Sequence, residues 1–425
     1  MRRRQPTLWL SMAMALAVAA PAAGQTPAVP KIEFTDAIQR AVANNPTVAQ
    51  AATAITRADL LVQQARAVTL PTVTGLFGNT TLDSARGFSG GVTQPQNQST
   101  FSADVTLPVL NLARWAAVGQ ARDQVQVAQL STEATRRDIA LATAQTYLAV
   151  IAAQRQIDVD ARAVETGRAH LTYAQQRLQA GAGSRLNELR AASSVSTSEL
   201  RLENSQLALR RAQEALGVLV AADTPLDAGA EPALDTPGPI SEQDWIRTRP
   251  DVLLEQATQR AAERVARDSW RDVVGNASVS FDPQYVAPAG LFQPSRTWRL
   301  TVSFAQPIFE GGLRRSVRGL RELQVEQTRL TISGTLLQAR SEVRIAQAAV
   351  LSAQRALDSA RLAASQADEV LQITTSAFQV GATTNIEVID AQRSARDAET
   401  TTTVTEDALR RAKLDLLVAL GRFPR

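Results

Sequence analysis

The sequence predicts a mainly α-helical chain with a transmembrane β-barrel portion, in which one unit of a helical hairpin and a β-hairpin occurs twice. Three observations support this fold class. The chain of 425 residues repeats its landmarks at an offset of about 200 residues. Two stretches, 111–180 and 312–380, contain no proline and carry apolar residues at heptad spacing. Segments with alternating apolar and polar residues precede each stretch.

The duplication sets the domain organisation. Gly381 corresponds to Gly181, and Pro307 corresponds to Pro108 further upstream. The run Ala-Leu-Arg-Arg-Ala occurs near the end of both copies. We predict a first repeat over 25–221 and a second over 241–425, joined by an equatorial linker over 222–240 that is rich in Pro, Ala and Gly.

The two proline-free stretches are predicted to be single long helices over 111–180 and 312–380. At 1.5 Å per residue, each is a rod of roughly 105 Å. The apolar positions at heptad spacing are Ile157, Val164, Leu171 and Leu178 in the first copy, and Val350, Leu357, Ala364, Leu371 and Phe378 in the second. This stripe is thin and rich in alanine, so the helices suit a tube rather than a filled core.

Four segments are predicted to be strands, over about 71–81, 99–109, 276–285 and 296–306. In the second of these, Phe101, Ala103 and Val105 alternate with Ser102 and Asp104. Alternation over about ten residues is what a membrane strand with a wet inner face requires. An ordinary half-buried hairpin in a soluble sheet has the same pattern, and the alternation alone does not separate the two.

Each rod is predicted to end in a tight hairpin tip, over 181–184 and 381–384. Glycine suits the end of the first helix, and Ser184 or Thr384 suits the cap of the return helix. The return helices are predicted over 185–221 and 385–421.

Strand number predicts the oligomeric state. Four strands cannot close a barrel; two chains supply eight, whose interior is filled by side chains, and three supply twelve, which leave a lumen. Three chains also supply twelve helical columns, so we predict a homotrimeric 12-stranded barrel that continues into a 12-helix α-barrel. The residues expected at the transition from sheet to helix are Pro108, Asn111, Pro307, Gly311 and Gly312.

Composition limits the possible partners. Residues 1–24 have the basic start, apolar middle and small-residue end of a signal peptide, which predicts export. The formal net charge is +4, and three arginines of that leader contribute most of it, so no nucleic-acid partner is expected. Without cysteine, disulfides and thiolate metal sites are excluded. No later apolar run is long enough for a transmembrane helix.

No motif for catalysis occurs. The sequence lacks a phosphate-binding glycine loop with lysine, a nucleophile elbow and a metal-ligand cluster, so we expect neither an enzyme nor a cofactor. His170 is the only histidine, and it lies one residue before the heptad position Leu171. We interpret it as a side chain of the coil.

In three motifs and their order, the chain resembles the TolC-type outer membrane factors. The motifs are Arg249-Pro250-Asp251-Val252, Gln306-Pro307-Ile308-Phe309-Glu310-Gly311-Gly312, and Val380-Gly381 followed by Ile386-Glu387-Val388-Ile389-Asp390-Ala391-Gln392. The resemblance covers nearly the whole chain after the leader. It implies a trimer in the outer membrane, in contact with its lipid, with a helical tunnel that extends into the periplasm.

The resemblance also implies site residues. Glu387 and Asp390 fall where the family has acidic rings at the periplasmic mouth, although charged helical residues are commonly just a solvated surface. Phe378, Thr383 and Asn187 stand where the family has the residues of a polar latch, so closure here is expected to be weaker or to depend on other contacts. The tips imply docking of a periplasmic adaptor through Gly181, Ala182, Gly183, Ser184, Leu186, Gly381, Ala382, Thr383 and Ile386.

The predicted function is a passive exit channel of a tripartite efflux pump or a type I secretion system. Its expected partners are a periplasmic membrane fusion (adaptor) protein and an inner membrane transporter of the RND, ABC or MFS type. Two other classes stay open from the residues alone: a periplasmic coiled-coil adaptor, which binds but does not conduct, and an exported hydrolase. The presence of two hairpins with only four strands argues against an adaptor, and the missing catalytic motifs argue against a hydrolase.

Overall fold

The computed structural model describes residues 29–236, 238 and 240–423, so the predicted signal peptide over 1–24 lies outside the described part. Its elements, in chain order, are β1 Lys31–Ile32, α1 Phe34–Asn44, α2 Pro46–Ala67, β2 Thr72–Thr81, β3 Arg86–Phe88, β4 Gly91–Gln94, β5 Asn97–Leu110, α3 Leu112–Gln179, α4 Arg185–Val220, β6 Asp227–Ala228, α5 Glu242–Thr248, α6 Pro250–Arg267, a 3₁₀ helix Asp268–Asp272, β7 Asn276–Ala287, β8 Arg296–Ala305, α7 Leu313–Gln379 and α8 Asn385–Ala419.

Two long helices organise the chain. α3 has 68 residues and α7 has 67, so each is a rod of about 100 Å. The shorter helices α2 and α4 pack along α3, and α6 and α8 pack along α7. α3 also contacts α6 and α8, which joins the two repeats side by side. None of the described helices has an apolar run that is long enough to cross a membrane.

The four main strands form one antiparallel sheet in the order β2-β5-β7-β8. The central pair, β5 and β7, comes from different repeats and is in register from Ser99 opposite Ala287 to Leu110 opposite Ala277. β2 and β8 are the outer strands, and every residue of β8 is exposed within the single chain. Such an open apolar edge is a template for pairing with another copy.

Three features of the strands differ from the sequence predictions. The linker over 222–240 contains β6, which pairs in parallel with β1 through Lys31–Asp227 and Ile32–Ala228. The loop between β2 and β5 contains the small hairpin β3–β4. Pro108 does not end the pairing, because β5 continues to Leu110 through a register shift. Its missing N–H is tolerated there because the pairing of β5 with β2 ends at Thr106.

The change from sheet to helix uses different residues in the two repeats. In the first, the Asn111 side chain caps α3 by accepting a hydrogen bond from the Arg114 N–H at 3.0 Å. In the second, β8 ends before Pro307, and Gly311 and Gly312 follow with φ of 60° and 88°. Only glycine adopts this left-handed conformation without a steric cost, and it turns the chain into α7.

A hydrophobic core cluster lies near the middle of α3, where α1, α3, α4 and the β1–β6 ribbon meet. Tyr147 of α3 is fully buried there and packs edge-on against Phe34. Its hydroxyl donates to the Ala230 carbonyl oxygen at 2.8 Å and lies 3.2 Å from that of Ile32. Burial raises the pKa of Tyr147, so the hydroxyl keeps its proton as the donor that holds the ribbon on the rod.

Replacing Tyr147 with Phe should therefore weaken the attachment of the β1–β6 ribbon to α3. The part-buried Ala230 carbonyl oxygen loses its donor and the Ala230 N–H loses its acceptor, so we expect the free energy of unfolding to fall by about 1–3 kcal/mol in chemical denaturation followed by circular dichroism. Tyr285→Phe is the control, since that ring is exposed on the sheet and its change should stay within about 0.5 kcal/mol. Equal losses in the two variants would contradict a special role for the buried hydroxyl.

Candidate functional site at the hairpin tips

The two hairpin tips have the same backbone turn. In the first, Gly181 has φ of 73°, and the Ala182 N–H donates to the Arg177 carbonyl at 2.9 Å. In the second, Gly381 has φ of 83°, and the Ala382 N–H donates to the Ala377 carbonyl at 2.8 Å. This is the pattern of a helix that ends at a left-handed glycine, so both tips depend on glycine at this position.

The return helices are capped differently. Ser184 accepts a hydrogen bond from the Asn187 N–H at 3.3 Å in the first tip. Thr384 and Glu387 form a reciprocal capping box in the second, and the Thr384 N–H donates to Glu387 Oε2 at 3.2 Å. The carboxylate of Glu387 is therefore held at a helix N-terminus, which favours negative charge.

Glu387 and Asp390 are both exposed and lie three residues apart on α8, so they share a face of that helix. The first tip has Asn187 and Arg190 at the corresponding places. The acidic ring itself needs copies of the chain, and it stays a prediction.

Phe378 does not project into open space. Its ring is 6% exposed and lies between the two hairpins. Its centroid is 5.4 Å from that of His170 and 5.7 Å from that of Tyr173, and the Arg177 guanidinium lies 5.5 Å away. In this conformation Phe378 therefore contributes by packing one hairpin on the other, while Thr383 is half-buried in the turn.

Hydrogen bonds reinforce this seam between the hairpins. His170 Nε2 lies 2.7 Å from Asn385 Oδ1, and Asn385 Nδ2 donates to the Asn187 carbonyl at 3.4 Å. Tyr173 and Arg177 donate to the carbonyl oxygens of Gln379 and Phe378, respectively, at 3.3 and 3.4 Å. We refer to His170, Tyr173, Arg177, Phe378 and Asn385 as the tip seam.

Sequence reasoning did not find the tip seam. His170 was interpreted only as a side chain of the coil, whereas its ring is 7% exposed and faces the other repeat. Burial lowers the pKa of His170, and the hydrogen bond to Asn385 opposes this effect only in part. The position of Asn385, directly after the capping Thr384, was the one available signal that its side chain lies at a helix start.

The outer surface of the tips carries exposed apolar side chains. Leu186 and Ile386, in the first turns of the return helices, are 54% and 47% exposed. Gly181, Ala182, Ser184, Gly381 and Ala382 are exposed as well, and Gly183 is half-buried. These residues are accessible to a partner that approaches along the axis of the rods.

Above the tips, the four helices enclose a polar cavity of about 720 Å³. Basic side chains dominate its lining, with Arg190, Arg201, Arg393 and Arg396 against Asp390 and Glu399. No group of residues in the described part of the chain has the composition of a metal site.

Two long helical hairpins that continue into an open four-stranded sheet define a channel-forming class of protein. The chain matches the outer membrane efflux protein family over 37–222 and 251–422, and it belongs to that family. The two matched segments fall one in each repeat. The resemblance inferred from the motifs is thereby confirmed.

Individual relatives agree with this assignment. The chain is 25% identical over 310 residues to outer membrane protein OprJ of Pseudomonas aeruginosa, an alignment that covers 70% of this chain and 64% of OprJ. It is 24% identical over 309 residues to the cobalt-zinc-cadmium resistance protein CzcC of Cupriavidus metallidurans, which covers 69% of this chain and 71% of CzcC. The crystal structure of CusC superposes with a TM-score of 0.81 at 18% identity, over 92% of both chains.

The fold class predicted from the sequence is confirmed by this structural likeness. The family is one of outer membrane efflux proteins rather than enzymes, so the protein is located in the outer membrane, from which its helices extend into the periplasm. The channel interpretation is therefore favoured over the periplasmic adaptor.

Removing the ring at the centre of the tip seam should separate the hairpins locally. Phe378→Ala deletes a buried aromatic side chain, which costs about 3–5 kcal/mol. We expect native-state hydrogen exchange to show this loss in the opening free energy of the amides around 376–390. Val380→Ala, at an 81% exposed position two residues away, is the control and should leave exchange unchanged. Similar protection in both variants would show that the seam does not depend on this ring.

Proposed function

We propose that this protein is the exit channel of a tripartite efflux pump or of a type I secretion system, and that it conducts passively. The observation that carries the proposal is the continuity of four strands with four helical columns in one chain. The energy for export would come from an inner membrane transporter of the RND, ABC or MFS type. The protein supplies a water-filled path.

A homotrimer explains the open sheet. The outer strands β2 and β8 each have an edge that no strand of the described chain pairs with. If β8 of one copy pairs with β2 of the next, three copies close a barrel of twelve strands, the smallest number here that leaves a lumen. The apolar side chains of β8, including Trp298, Val302 and Phe304, then face outer membrane lipid.

The hairpin tips are the proposed docking surface for a periplasmic adaptor. They lie at the end of the rods farthest from the sheet, which is the end that would face the inner membrane. Leu186 and Ile386 present apolar side chains at matching places in the two repeats. Apolar anchors that are surrounded by small residues suit the tip of another helical hairpin.

Charge at the periplasmic mouth is proposed to set ion selectivity. Three copies would bring three Glu387 and three Asp390 carboxylates to the narrow end of the tunnel, where a ring of acidic side chains favours cations. We expect Glu387→Gln with Asp390→Asn to lose cation preference in planar bilayers. The control is Asp223→Asn with Asp235→Asn, which removes the same charge from the exposed linker.

Loss of cation preference in the tip variant but not in the linker variant supports the ring. Unchanged selectivity in the tip variant places the selective charge elsewhere. Absence of any conductance from the purified protein would instead overturn the channel and favour the adaptor alternative.

Docking gives a second test. We expect Leu186→Ser with Ile386→Ser to weaken binding of the cognate adaptor at least about tenfold, because anchor residues at interfaces contribute more than 1 kcal/mol each. Leu200→Ser is the control, since Leu200 is equally exposed on α4 but lies four turns from the tip. Equal weakening by the control would show that the adaptor binds along the side of the rods.

A further inference from the structure

We propose that the neutral imidazole of His170 is a latch between the two hairpin tips, and that its protonation releases the second hairpin from the first. The latch would make the periplasmic mouth sensitive to acid. Its effect on the hairpins stands on the tip seam alone, whereas its effect on conduction rests on the proposed channel function.

The contacts of His170 link all four helices at the tips. The ring belongs to α3 and packs on Phe378 of α7. It contacts Asn385 in the first turn of α8, and Asn385 in turn reaches the Asn187 carbonyl of α4. The first turns of both return helices are thus connected through Asn385, and the imidazole ties that side chain to α3.

The hydrogen bonds determine which nitrogen carries the proton. Asn385 Nδ2 donates to the Asn187 carbonyl, so the Oδ1 atom of Asn385 is the one that faces His170. A carbonyl oxygen only accepts, and Nε2 is therefore the protonated nitrogen of the neutral ring. A second proton adds at Nδ1 and places a full positive charge in a site that is more than nine-tenths buried.

The hydrogen bond to Asn385 favours the charged ring but does not outweigh burial, and the other groups around the ring add no countercharge. Arg177 of α3 lies 5.5 Å from the centroid of the Phe378 ring and is itself cationic, and Tyr173 of α3 donates its hydroxyl hydrogen bond to the Gln379 carbonyl. Phe378 is the group from α7 and is uncharged. The nearby carboxylates at the helix starts are engaged locally, Glu188 of α4 with Arg185 and Glu387 of α8 with Thr384. Burial therefore lowers the pKa of His170 below 6.5 in the closed seam.

The sign of the pH effect follows from linkage. When the seam opens, the ring is hydrated and its pKa returns towards about 6.5. The open seam then binds the proton more tightly than the closed seam. The stability of the closed seam is complete above that value, and it is lost as the pH falls through the lower pKa of the closed form. Each unit of difference shifts the ratio of open to closed about tenfold.

The first test reads the imidazole directly. His170 is the only histidine of the chain, so protein labelled with ¹⁵N-histidine gives one imidazole signal. We expect the Nε2–H tautomer at neutral pH and a titration midpoint below 6.5. A midpoint at or above 6.5, or the Nδ1–H tautomer, would overturn the latch.

The second test uses a matched pair of variants. His170→Gln keeps a donor for Asn385 but cannot be protonated, and His170→Arg carries a fixed charge. Because the chain has no cysteine, single cysteines introduced at the exposed Ala182 and Ala382 accept spin labels without interference. We expect the shortest distance between labels to widen with acid in the parent protein, to stay short in the Gln variant, and to be wide at all pH values in the Arg variant.

A Gln variant that still widens with acid would overturn the proposal, and so would a parent protein whose distance does not respond to pH. Conductance recorded in parallel separates this inference from the proposed function. If the distance responds to acid and the bilayer current is absent, the latch stands and the channel proposal fails. If current flows and neither current nor distance responds to acid, the channel stands and the latch fails.

Discussion

The single chain buries only part of the apolar surface of its long helices. The inward positions of α3 near mid-height are small or of moderate size, such as Ala140, Ala144 and Leu148, all fully buried. Along α7, leucines such as Leu320 and Leu337 stay about two-thirds exposed in the single chain. Hydrophobic burial is the main source of stability in folding, so a chain of this pattern is completed by other copies of itself. The unpaired edges of β2 and β8 likewise require strands from other copies.

The buried apolar residues of the single chain are concentrated near the middle of the rods, in the core clusters around Tyr147, Leu148 and Trp245, a region that we call the belt. Tyr147 attaches the β1–β6 ribbon to α3. Arg249, 5% exposed, donates to Asp251, to Glu342 of α7 and to the Ala419 carbonyl of α8. A buried guanidinium with all of these partners is costly to move, because any displacement leaves a charge unpaired away from water. The belt therefore holds the helices in place at mid-height, while the tips, which have fewer buried contacts, are held together mainly by the tip seam.

Periodic features of the sequence predicted the fold well. Heptads and the absence of proline led to α3 and α7, whose observed bounds differ from the predicted ones by a single residue at each end. Strands of two residues, such as β1 and β6, have no period to recognise, so the pairing of the equatorial linker with β1 was not predicted. The tip seam was missed for a different reason. His170 and Asn385 are 215 residues apart, and a single polar contact between them produces no periodic pattern in the sequence. The resemblance places Phe378 at the gate, which stays a prediction, and in the single chain its ring lies within the seam.

The duplication explains why the seam can be a point of control. Both tips have the same left-handed glycine, and the residues that cap the two return helices, Ser184 and Thr384, have similar backbone angles, so the backbone of the repeats is preserved. The side chains diverge where the hairpins meet, with Asn187 and Arg190 in one tip against Glu387 and Asp390 in the other. The two hairpins therefore differ in charge at their tips, and a buried imidazole lies in the seam between them, which is the asymmetry that the proposed latch requires.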